Sequence, residues 1–456
     1  MPMNPADHAP AITAEEFYRR AVERDGTPVP DFLSESKPFE GEHYQVDIER
    51  FVSPEYHRRE VEQLWKRVWQ ATCREEEIAQ PGDVYVYEIA TLQYLIVRTQ
   101  SGAIKAFPNS CLHRGRQLID CNRRVTQIRC PFHAFTWDLD GRIAQIPCAW
   151  DFSHIDDPDY WTLPQVQVAT WGGFVFINPD PDAAPLSAYL GDLDRHFERY
   201  PLDGRYIAAH ARKVVPCNWK VAQEAFLETF HILGTHPQLL PQASHTDMKY
   251  DCYENYSRTV GTYYTPHVYT GFDPSEQEIL DSVADFRQDD AQRSMVLEEG
   301  ETAREHMARL AREGYERASG ESSEGLATSE LIDISFMSVF PNFHPWTLFT
   351  RICYLFRPYK NDPDRSWMDI YQIMPVRKGE APPAPAPVRL LSDEEDWTAA
   401  EDLSPYLGRI ANQDAFNFGP IQQGMKASAT GVLNYSSYQE SRIRHFHTLL
   451  DKWMTE

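Results

Sequence analysis

The chain has 456 residues, of which 42% are hydrophobic, and its 68 acidic and 44 basic side chains give a formal net charge of −24. This length is more than one compact core usually supports, so two or three domains are predicted. The negative charge argues against nucleic acid and anionic membrane surfaces as partners.

Signals for export and membrane insertion are missing from the sequence. The first ten residues lack the basic start and apolar core of a signal peptide, and no run of about 18 apolar residues occurs. Most of the eight cysteines are scattered, without the spacing of a disulfide framework. The sequence therefore predicts a cytoplasmic protein that does not span a membrane.

The first part of the chain predicts an arm followed by a small β domain. Residues 1–45 are polar and interrupted by prolines, which is typical of an arm. A helix is predicted to begin at Ser53 and to end near Trp69. Alternating apolar and polar residues over 83–135 predict short strands, and the all-β domain that they form is expected to end near Ile177.

Two short loops combine cysteine and histidine. Cys111 and His113 lie in C-L-H-R-G, and Cys130 and His133 lie in C-P-F-H. One thiolate and one imidazole per loop suit a [2Fe-2S] cluster in which two imidazoles replace two thiolates on one iron, with a potential of about −150 to +300 mV. A structural zinc site is the alternative, although zinc sites more often pair C-x2-C with H-x3-H.

A second cluster of candidate ligands follows a helical pattern. Residues 218–234 are predicted to form a buried amphipathic helix that ends at its final glycine. Glu224, Glu228 and His231 would share one face, which by itself fits a solvated surface equally well. The end of the helix would let His236 turn back toward His231. The apolar residues at helical spacing are Val221, Ala222, Ala225, Phe226 and Phe230.

Two neighbouring imidazoles call for a third ligand. A 2-His-1-carboxylate triad holds Fe(II) with open positions for dioxygen and substrate, and Asp414 is the predicted carboxylate. Asp396 and Asp402 compete with it, and Asp414 as a helix cap or surface residue is the other interpretation. A di-iron site would need two Glu-x-x-His motifs, and the second instance, at 40–43, lies in the arm.

Together these motifs resemble the catalytic α subunit of the Rieske non-haem iron oxygenases, the aromatic ring-hydroxylating oxygenase family. The resemblance covers the chain from about Asp47 to His447. It rests on both Cys/His loops, Asn218-Trp-Lys, the pair His231 and His236, and Asp414 followed by Gln422 and Gly424.

The resemblance implies an α+β fold: a small all-β Rieske [2Fe-2S] domain and a helix-grip catalytic domain, in which an antiparallel sheet wraps against a long helix. The expected boundaries are 1–45 for the arm, 46–177 for the Rieske domain with its leading helix, and 178–456 for the mononuclear iron domain. An acidic helical insertion at about 273–317 is either a lid over the active site or a solvated helix pair. Strands of the catalytic sheet are predicted at 336–340, 348–356 and 367–374.

The resemblance also assigns roles to single residues. Glu228 stands where a family carboxylate bridges the first iron histidine to a cluster histidine of the next subunit, in a head-to-tail ring that is usually a trimer. Three departures from the family pattern remove no ligand: Glu228 is commonly Asp, Ala134-Phe135 is usually Gly-Trp, and Ala225 is usually Asn. The implied ligands are Cys111 and Cys130 for one cluster iron, His113 and His133 for the other, and His231, His236 and Asp414 for the mononuclear iron.

The implied function is that of a terminal oxygenase. A separate reductase or ferredoxin would supply electrons through the cluster to Fe(II), where O2 and a small organic substrate, aromatic or largely apolar, are activated for mono- or dihydroxylation. Oxidative O- or N-demethylation and hydroxylation of a larger natural product or steroid are alternatives. A Rieske-type electron carrier and a zinc-stabilised binding module are alternatives of other classes. The expected assembly is a homotrimer or a multiple of it, with or without a β subunit.

Overall fold

The computed structural model describes residues 13–155, 157, 159–243, 248–265, 274–287, 295–346 and 351–455. The chain forms two compact units. The smaller contains Ser53–Tyr189, Arg357–Pro363 and the chain from Trp453, and the larger contains the chain before Ser53, Leu190–Phe356 and Asp364–Lys452. Helices and antiparallel sheets are mixed, which confirms the predicted α+β class. The domain boundaries expected from the sequence stay a prediction.

The leading helix of the smaller unit begins where the sequence predicts. It spans Pro54–Glu60 as an α-helix and Val61–Trp65 as a π turn, and the side chain of Ser53 caps its start. It stops short of the predicted Trp69 because the side-chain amide of Gln70 donates a hydrogen bond to the carbonyl of the last π-turn residue at 2.8 Å. Gln70 then begins a strand.

Three antiparallel sheets make up the rest of the smaller unit, as the alternating pattern predicts. Their core contains the buried side chains of Phe107, Trp137 and Trp161, together with Cys111 and Cys130. In spatial order the sheets are Ile104–Pro108, Leu92–Arg98, Asp83–Ile89 and Arg123–Arg124; then Ile128–Arg129, Thr136–Trp137 and Ile143–Gln145; then Gln167–Trp171, Phe174–Asn178 and Gln70–Arg74.

An eight-stranded sheet dominates the larger unit. Its described pairings are antiparallel except for the last one, between Arg205–Val215 and Val388–Leu391. The predicted strands at 336–340 and 367–374 lie in this sheet; of the strand predicted at 348–356, residues 348–350 lie outside the described residues. The order is Lys249–Cys252, Tyr256–Gly261, Ile334–Val339, Phe343–Pro345, Ile352–Tyr359, Asp362–Pro375, Arg205–Val215 and Val388–Leu391.

The long helix Pro405–Lys426, called the central helix below, packs against this sheet. Ser404 caps its first turn and Pro405 occupies the first helical position. Its buried face joins a core that includes Phe356, Met368 and Ile370 of the sheet. This arrangement confirms the predicted helix-grip fold. The buried positions on the helix are Leu407, Gly408, Ala411, Asp414, Phe418, Gln422 and Met425.

The predicted insertion contains two helices, Glu276–Arg287 and Ala303–Ser319; its first residue, Asp273, lies outside the described residues. The helices pack on each other through a buried apolar cluster. Arg304, on the second insertion helix, donates to Asp25 of the arm at 2.7 Å and to Asp333 at 2.6 Å. These ion pairs are buried, which ties the second insertion helix both to the arm and to the residue that precedes the strand Ile334–Val339.

The remaining elements are helices, short 3-10 turns and a two-stranded sheet. None of the helices in the described ranges is both long enough and apolar enough to cross a membrane. The other α-helices are Ala14–Asp25, Asp31–Ser34, Glu49–Val52, Leu186–Leu190, Trp219–Glu224, Ile232–Thr235, Thr328–Ile332 and Ser441–Thr455. The short 3-10 turns are Glu75–Ile78, Ala149–Phe152, Leu193–His196, Pro237–Leu239 and Trp397–Ala399, and Gln45–Asp47 pairs with Val432–Asn434.

Candidate metal centres

The two Cys/His loops of the smaller unit are tight turns. The Gly115 N–H donates to the Cys111 carbonyl at 2.8 Å, and the Ala134 N–H donates to the Cys130 carbonyl at 3.1 Å. Both turns use a left-handed residue, with φ of 69° at Gly115 and 61° at Ala134. Alanine there costs about 1–2 kcal/mol, because its Cβ crowds the backbone in this region. The turn forms at Ala134 in spite of this cost, so the departure from the usual glycine leaves the turn intact.

The four predicted cluster ligands form a buried pair and a half-exposed pair. The Cys111 and Cys130 side chains are buried in the core, and burial together with the neighbouring Cys130 raises the pKa of the Cys111 thiol. The His113 and His133 rings lie 4.7 Å apart between centroids, and both are partly exposed. An iron held by the two histidines would thus lie nearer the surface than one held by the two thiolates.

In the larger unit, the prediction of one helix over residues 218–234 is wrong in its length. The helix spans only Trp219–Glu224, and Gly234 lies inside the separate helix Ile232–Thr235 instead of ending the first. After Glu224 the backbone hydrogen bonds shorten to i−3 spacing, with the Leu227 N–H on the Glu224 carbonyl at 3.0 Å. Further along, the Glu228 carboxylate accepts the backbone N–H of His231 at 2.9 Å in place of a helical carbonyl. Phe230, predicted to be buried, is 42% exposed as a result.

Asn218 begins this region and links it to the central helix. Its side chain accepts the backbone N–H of Lys220 at 3.1 Å, which caps the short helix. Its own backbone N–H donates to the Gln422 side-chain oxygen at 3.0 Å. Asn218 and Gln422 belong to two separate motifs of the family resemblance. The structure shows that these two residues contact each other.

The structure brings His231, His236 and Asp414 together. The Nε2 atoms of His236 and His231 lie 2.9 and 3.5 Å from Oδ1 of Asp414. One nitrogen or oxygen atom from each residue falls within 4.8 Å of the others. Asp414 is 4% exposed and sits in the middle of the central helix, so it is neither a cap nor a surface residue. The competing Asp396 caps a 3-10 turn, and Asp402 is exposed.

Each histidine ring is held from behind by a side-chain oxygen. Nδ1 of His231 lies 2.7 Å from Oε1 of Glu228, and Nδ1 of His236 lies 2.8 Å from Oε1 of Gln413. A proton on each Nδ1 leaves the Nε2 lone pairs facing Asp414, as metal ligation requires. Burial lowers the pKa of His231, but Glu228 and Asp414 outweigh it and raise that pKa to about 9.

This donor set fits a divalent cation. Two imidazole nitrogens and the Asp414 carboxylate converge, and a second carboxylate, that of Glu228, lies behind the His231 ring. Two imidazoles and one carboxylate form the facial triad of non-haem Fe(II) sites. The residues that the sequence predicts as ligands are therefore placed suitably for the metal, and their assignment as ligands is a proposal.

Sequence reasoning missed Gln413. Its side-chain oxygen accepts both Nδ1–H of His236 and the side-chain amide of Gln238, each at 2.8 Å. Gln413 directly precedes Asp414, but Gln238 and His236 are far away in the sequence. Nothing in the local pattern marks this glutamine, and only the tertiary structure shows that it orients a candidate ligand.

We expect Gln413→Ala to weaken binding at the mononuclear site by about 10–100-fold, because the His236 ring loses the acceptor that fixes its orientation. Chelator competition with Co(II) as a probe would measure this affinity. Gln423→Ala, on the exposed side of the same helix, is the matched control. Equal Co(II) affinity in the Gln413 variant and the wild type would show that Gln413 does not orient the ring.

A small apolar cavity of about 110 Å³ opens directly onto the three candidate ligands. Phe226 and Ile232 lie on one side, and Trp346 and Tyr354 come from the sheet. Burial raises the pKa of Tyr354 well above its ordinary value, so its hydroxyl stays protonated. The site therefore joins the three candidate ligands to a space that suits an apolar group.

Two family models match the chain. The model described as "Ring hydroxylating alpha subunit (catalytic domain)" matches residues 192–456, and the model "Rieske [2Fe-2S] domain" matches residues 68–157. The first match alone covers more than half of the chain.

Among curated relatives, the chain is similar to chlorobenzene dioxygenase subunit alpha of Cupriavidus sp. (strain PS12), with 28% identity over 42% of this chain and 44% of that one. It is similar to the glycine betaine monooxygenase oxygenase subunit of Pseudomonas aeruginosa (strain UCBPP-PA14), with 29% identity over 40% and 42%. The matched region thus spans less than half the length of these relatives.

Solved structures show the same fold. The quaternary ammonium Rieske monooxygenase CntA in complex with gamma-butyrobetaine has a TM-score of 0.62 and 17% identity, covering 94% of this chain and 99% of that one. Naphthalene 1,2-dioxygenase from Rhodococcus sp. bound to indole has a TM-score of 0.61 and 21% identity, covering 90% and 94%. At these identities the likeness concerns the fold alone.

Proposed function

We propose that this chain, which belongs to the ring-hydroxylating α-subunit family, is the terminal oxygenase of a multicomponent system. The observation that carries the proposal is the convergence of His231, His236 and Asp414 at the end of an apolar cavity. A [2Fe-2S] cluster and a mononuclear Fe(II), when bound, supply electron transfer and O2 activation. Cys111, His113, Cys130 and His133 would hold the cluster, and the triad would hold the Fe(II).

The protein side chains then have three tasks. Glu228 and Gln413 keep the protons of His231 and His236 on Nδ1. The apolar walls of the cavity exclude water and hold an apolar group of the substrate beside the triad. The half-exposed histidine pair of the Rieske domain gives electrons a route to the surface of that unit.

We also propose the head-to-tail homotrimer, or a multiple of it, in which Glu228 meets His133 of the next subunit. Large apolar side chains are exposed near both candidate centres, which is typical of surfaces that become buried in an assembly. Phe132 beside His133 is 57% exposed, and Phe230 and Leu233 beside His231 are 42% and 41% exposed. A β subunit is compatible with this assembly but is not required by it.

The cavity lining favours an aromatic or largely apolar substrate group that is mono- or dihydroxylated. Oxidative N-demethylation is a second candidate, because relatives include a glycine betaine monooxygenase and aromatic rings line the cavity. Trp346, Phe336 and Tyr354 line the cavity, and aromatic rings of this kind attract a quaternary ammonium group. The triad argues against a simple electron carrier, and the scattered cysteines are consistent with a cytoplasmic location.

Electron supply gives the direct test of this function. The sequence has no dinucleotide or flavin fingerprint, so a separate reductase or ferredoxin must deliver the electrons. We expect NADH and O2 alone to give no substrate oxidation, and a surrogate reductase with ferredoxin to restore it. Substrate-dependent O2 consumption in an oxygen electrode, with product analysis, would measure this. Turnover with NADH and no reductase would contradict the proposal.

A further inference from the structure

The half-exposed histidine pair of the smaller unit has a cation beside it. One terminal guanidinium nitrogen of Arg114 lies 3.3 Å from Nε2 of His133. The same guanidinium stacks over the ring of Phe132, 4.5 Å from its centroid, and that ring lies 3.8 Å from the His133 ring. Stacking on an aromatic ring orients the guanidinium before it binds any further group.

Arg114 is not neutralised within the described part of the chain. It contacts the rings of Phe132 and His133, and no carboxylate of the described residues lies within ion-pair distance of it. The two Cys/His loops also carry Arg116 and Arg129, both exposed, and have no acidic residue over 111–116 and 129–135. A positive surface on a chain with a net charge of −24 suits an acidic partner group.

His133 and Arg114 together offer two donors to one acceptor. Because Nε2 of His133 is the nitrogen beside Arg114, Nδ1 is left to bind a cluster iron. With iron on Nδ1, Nε2 carries a proton, so two N–H donors then face each other without an acceptor between them. A carboxylate relieves this repulsion, since each of its oxygens accepts one of the two N–H groups.

Glu228 has the acceptor capacity that this pair of donors lacks. Its Oε1 accepts Nδ1–H of His231 at 2.7 Å, and its Oε2 accepts the backbone N–H of His231 at 2.9 Å. A carboxylate has about four acceptor sites, so about two remain. The Glu228 side chain is still 10% exposed, and the neighbouring Phe230 is 42% exposed. A donor from another copy of the chain can therefore reach the carboxylate.

We propose that Arg114 is the second partner of Glu228 across the subunit boundary, so that the Glu228 carboxylate of one copy accepts hydrogen bonds from both His133 and Arg114 of the next. Arg114 is then a positioning residue, which holds the carboxylate against the outer histidine of the cluster site. This inference rests on the proposed head-to-tail assembly and deepens it, because it names the charge pair that fixes how two copies meet.

The strength of association between copies tests the role of Arg114. We expect Arg114→Met to raise the dissociation constant of the oligomer about tenfold or more, because Glu228 loses a charged partner at the boundary. Arg116→Met, at an exposed arginine of the same loop, is the matched control and should change the constant less than about threefold. Sedimentation velocity of the metal-loaded protein over a concentration series would measure both. Equal effects of the two variants, or a monomeric wild type, would overturn the proposal.

A double-mutant cycle identifies the partner of Arg114. Arg114→Met should weaken association about tenfold in the wild type and leave it unchanged in the Glu228→Gln background, because the charge that it pairs with is already absent. Additive effects of the two changes would overturn the proposal. Unchanged association with slower cluster reduction by a surrogate ferredoxin would also overturn it, since Arg114 would then serve the electron donor.

A crystal structure of the wild-type oligomer gives a test that needs no variant. The Arg114 guanidinium should lie within hydrogen-bond distance of Glu228 of the next subunit, and an Arg114 bonded only to its own chain would overturn the proposal. Sedimentation and crystallography require neither O2 nor electrons. A catalytically inactive protein with a non-additive Arg114 and Glu228 pair would refute the proposed oxygenase and support this inference, and an active oxygenase with additive effects would do the reverse.

Discussion

Replacing Asp414 with alanine is expected to empty the mononuclear site while the Rieske cluster stays intact. Asp414 supplies the only carboxylate among the three converging groups, and both Nε2 atoms face its Oδ1. Two neutral imidazoles without a carboxylate hold Fe(II) poorly, and the ferrous ion prefers oxygen and nitrogen ligands together. Substrate oxidation should therefore be lost completely.

Metal analysis and spectroscopy check this expectation. Iron should fall from about three to about two atoms per chain when all sites are full, with the red-brown colour of the cluster retained. Asp402→Ala removes an exposed aspartate ahead of the same helix and is the matched control. Full iron content in Asp414→Ala would show that another carboxylate completes the site, and zinc in place of iron in the wild type would contradict both centres.

Glu228→Gln should leave both metals largely in place and slow turnover by about 10–100-fold. Oε1 of Glu228 accepts from Nδ1 of His231, and Oε2 accepts the backbone N–H of the same residue. A glutamine carries no charge, and its NH2 group replaces one of the two carboxylate oxygens, so a donor would face one of these N–H groups. The His231 imidazole then loses the negative partner that raises its pKa.

The rate at which electrons leave the reduced cluster distinguishes a role of Glu228 in electron transfer from a purely structural role. Single-turnover oxidation of a pre-reduced cluster, with substrate and O2 present, should be slow in Glu228→Gln although iron content is normal. Glu228→Asp keeps two carboxylate oxygens with a shorter reach and should do less harm. Wild-type cluster oxidation in Glu228→Gln would mean that Glu228 only caps the turn before His231, and the route across the subunit boundary would have to be abandoned.

Short-range patterns in the sequence predict the four cluster ligands and the pair His231 and His236, whereas spacing alone does not choose Asp414 over Asp396 and Asp402. In the Cys/His loops, cysteine and histidine lie so close together that any compact turn brings them to one place, and the structure has such turns at Cys111 and Cys130. The helix-grip fold was implied by the family resemblance, whereas alternation in the sequence predicts only its strands, such as those at 336–340 and 367–374. Asp414 shares the helical spacing of buried residues such as Ala411 and Phe418, which explains its burial.

The hydrophobic pattern does not predict where a side chain replaces a backbone carbonyl as hydrogen-bond acceptor. Residues 218–234 have continuous helical spacing, yet the helix ends at Glu224, and further along the Glu228 carboxylate binds the N–H of His231 in place of a backbone carbonyl. The predicted meeting of His231 and His236 still occurs, but a turn and a second short helix produce it. Periodicity records which faces are apolar and carries no information on a carboxylate that replaces a backbone acceptor.

The sequence by itself determined the residue types available to bind metal, the class of fold and the order of its elements. Only the tertiary structure decided which distant groups surround them: Gln413 behind His236 and Gln422 on Asn218. The physical reason is that sequence patterns report only on interactions between residues close together in the chain. Local spacing fixes turns and helical faces within a few residues, whereas these contacts join segments that become neighbours only when the sheet closes around the central helix.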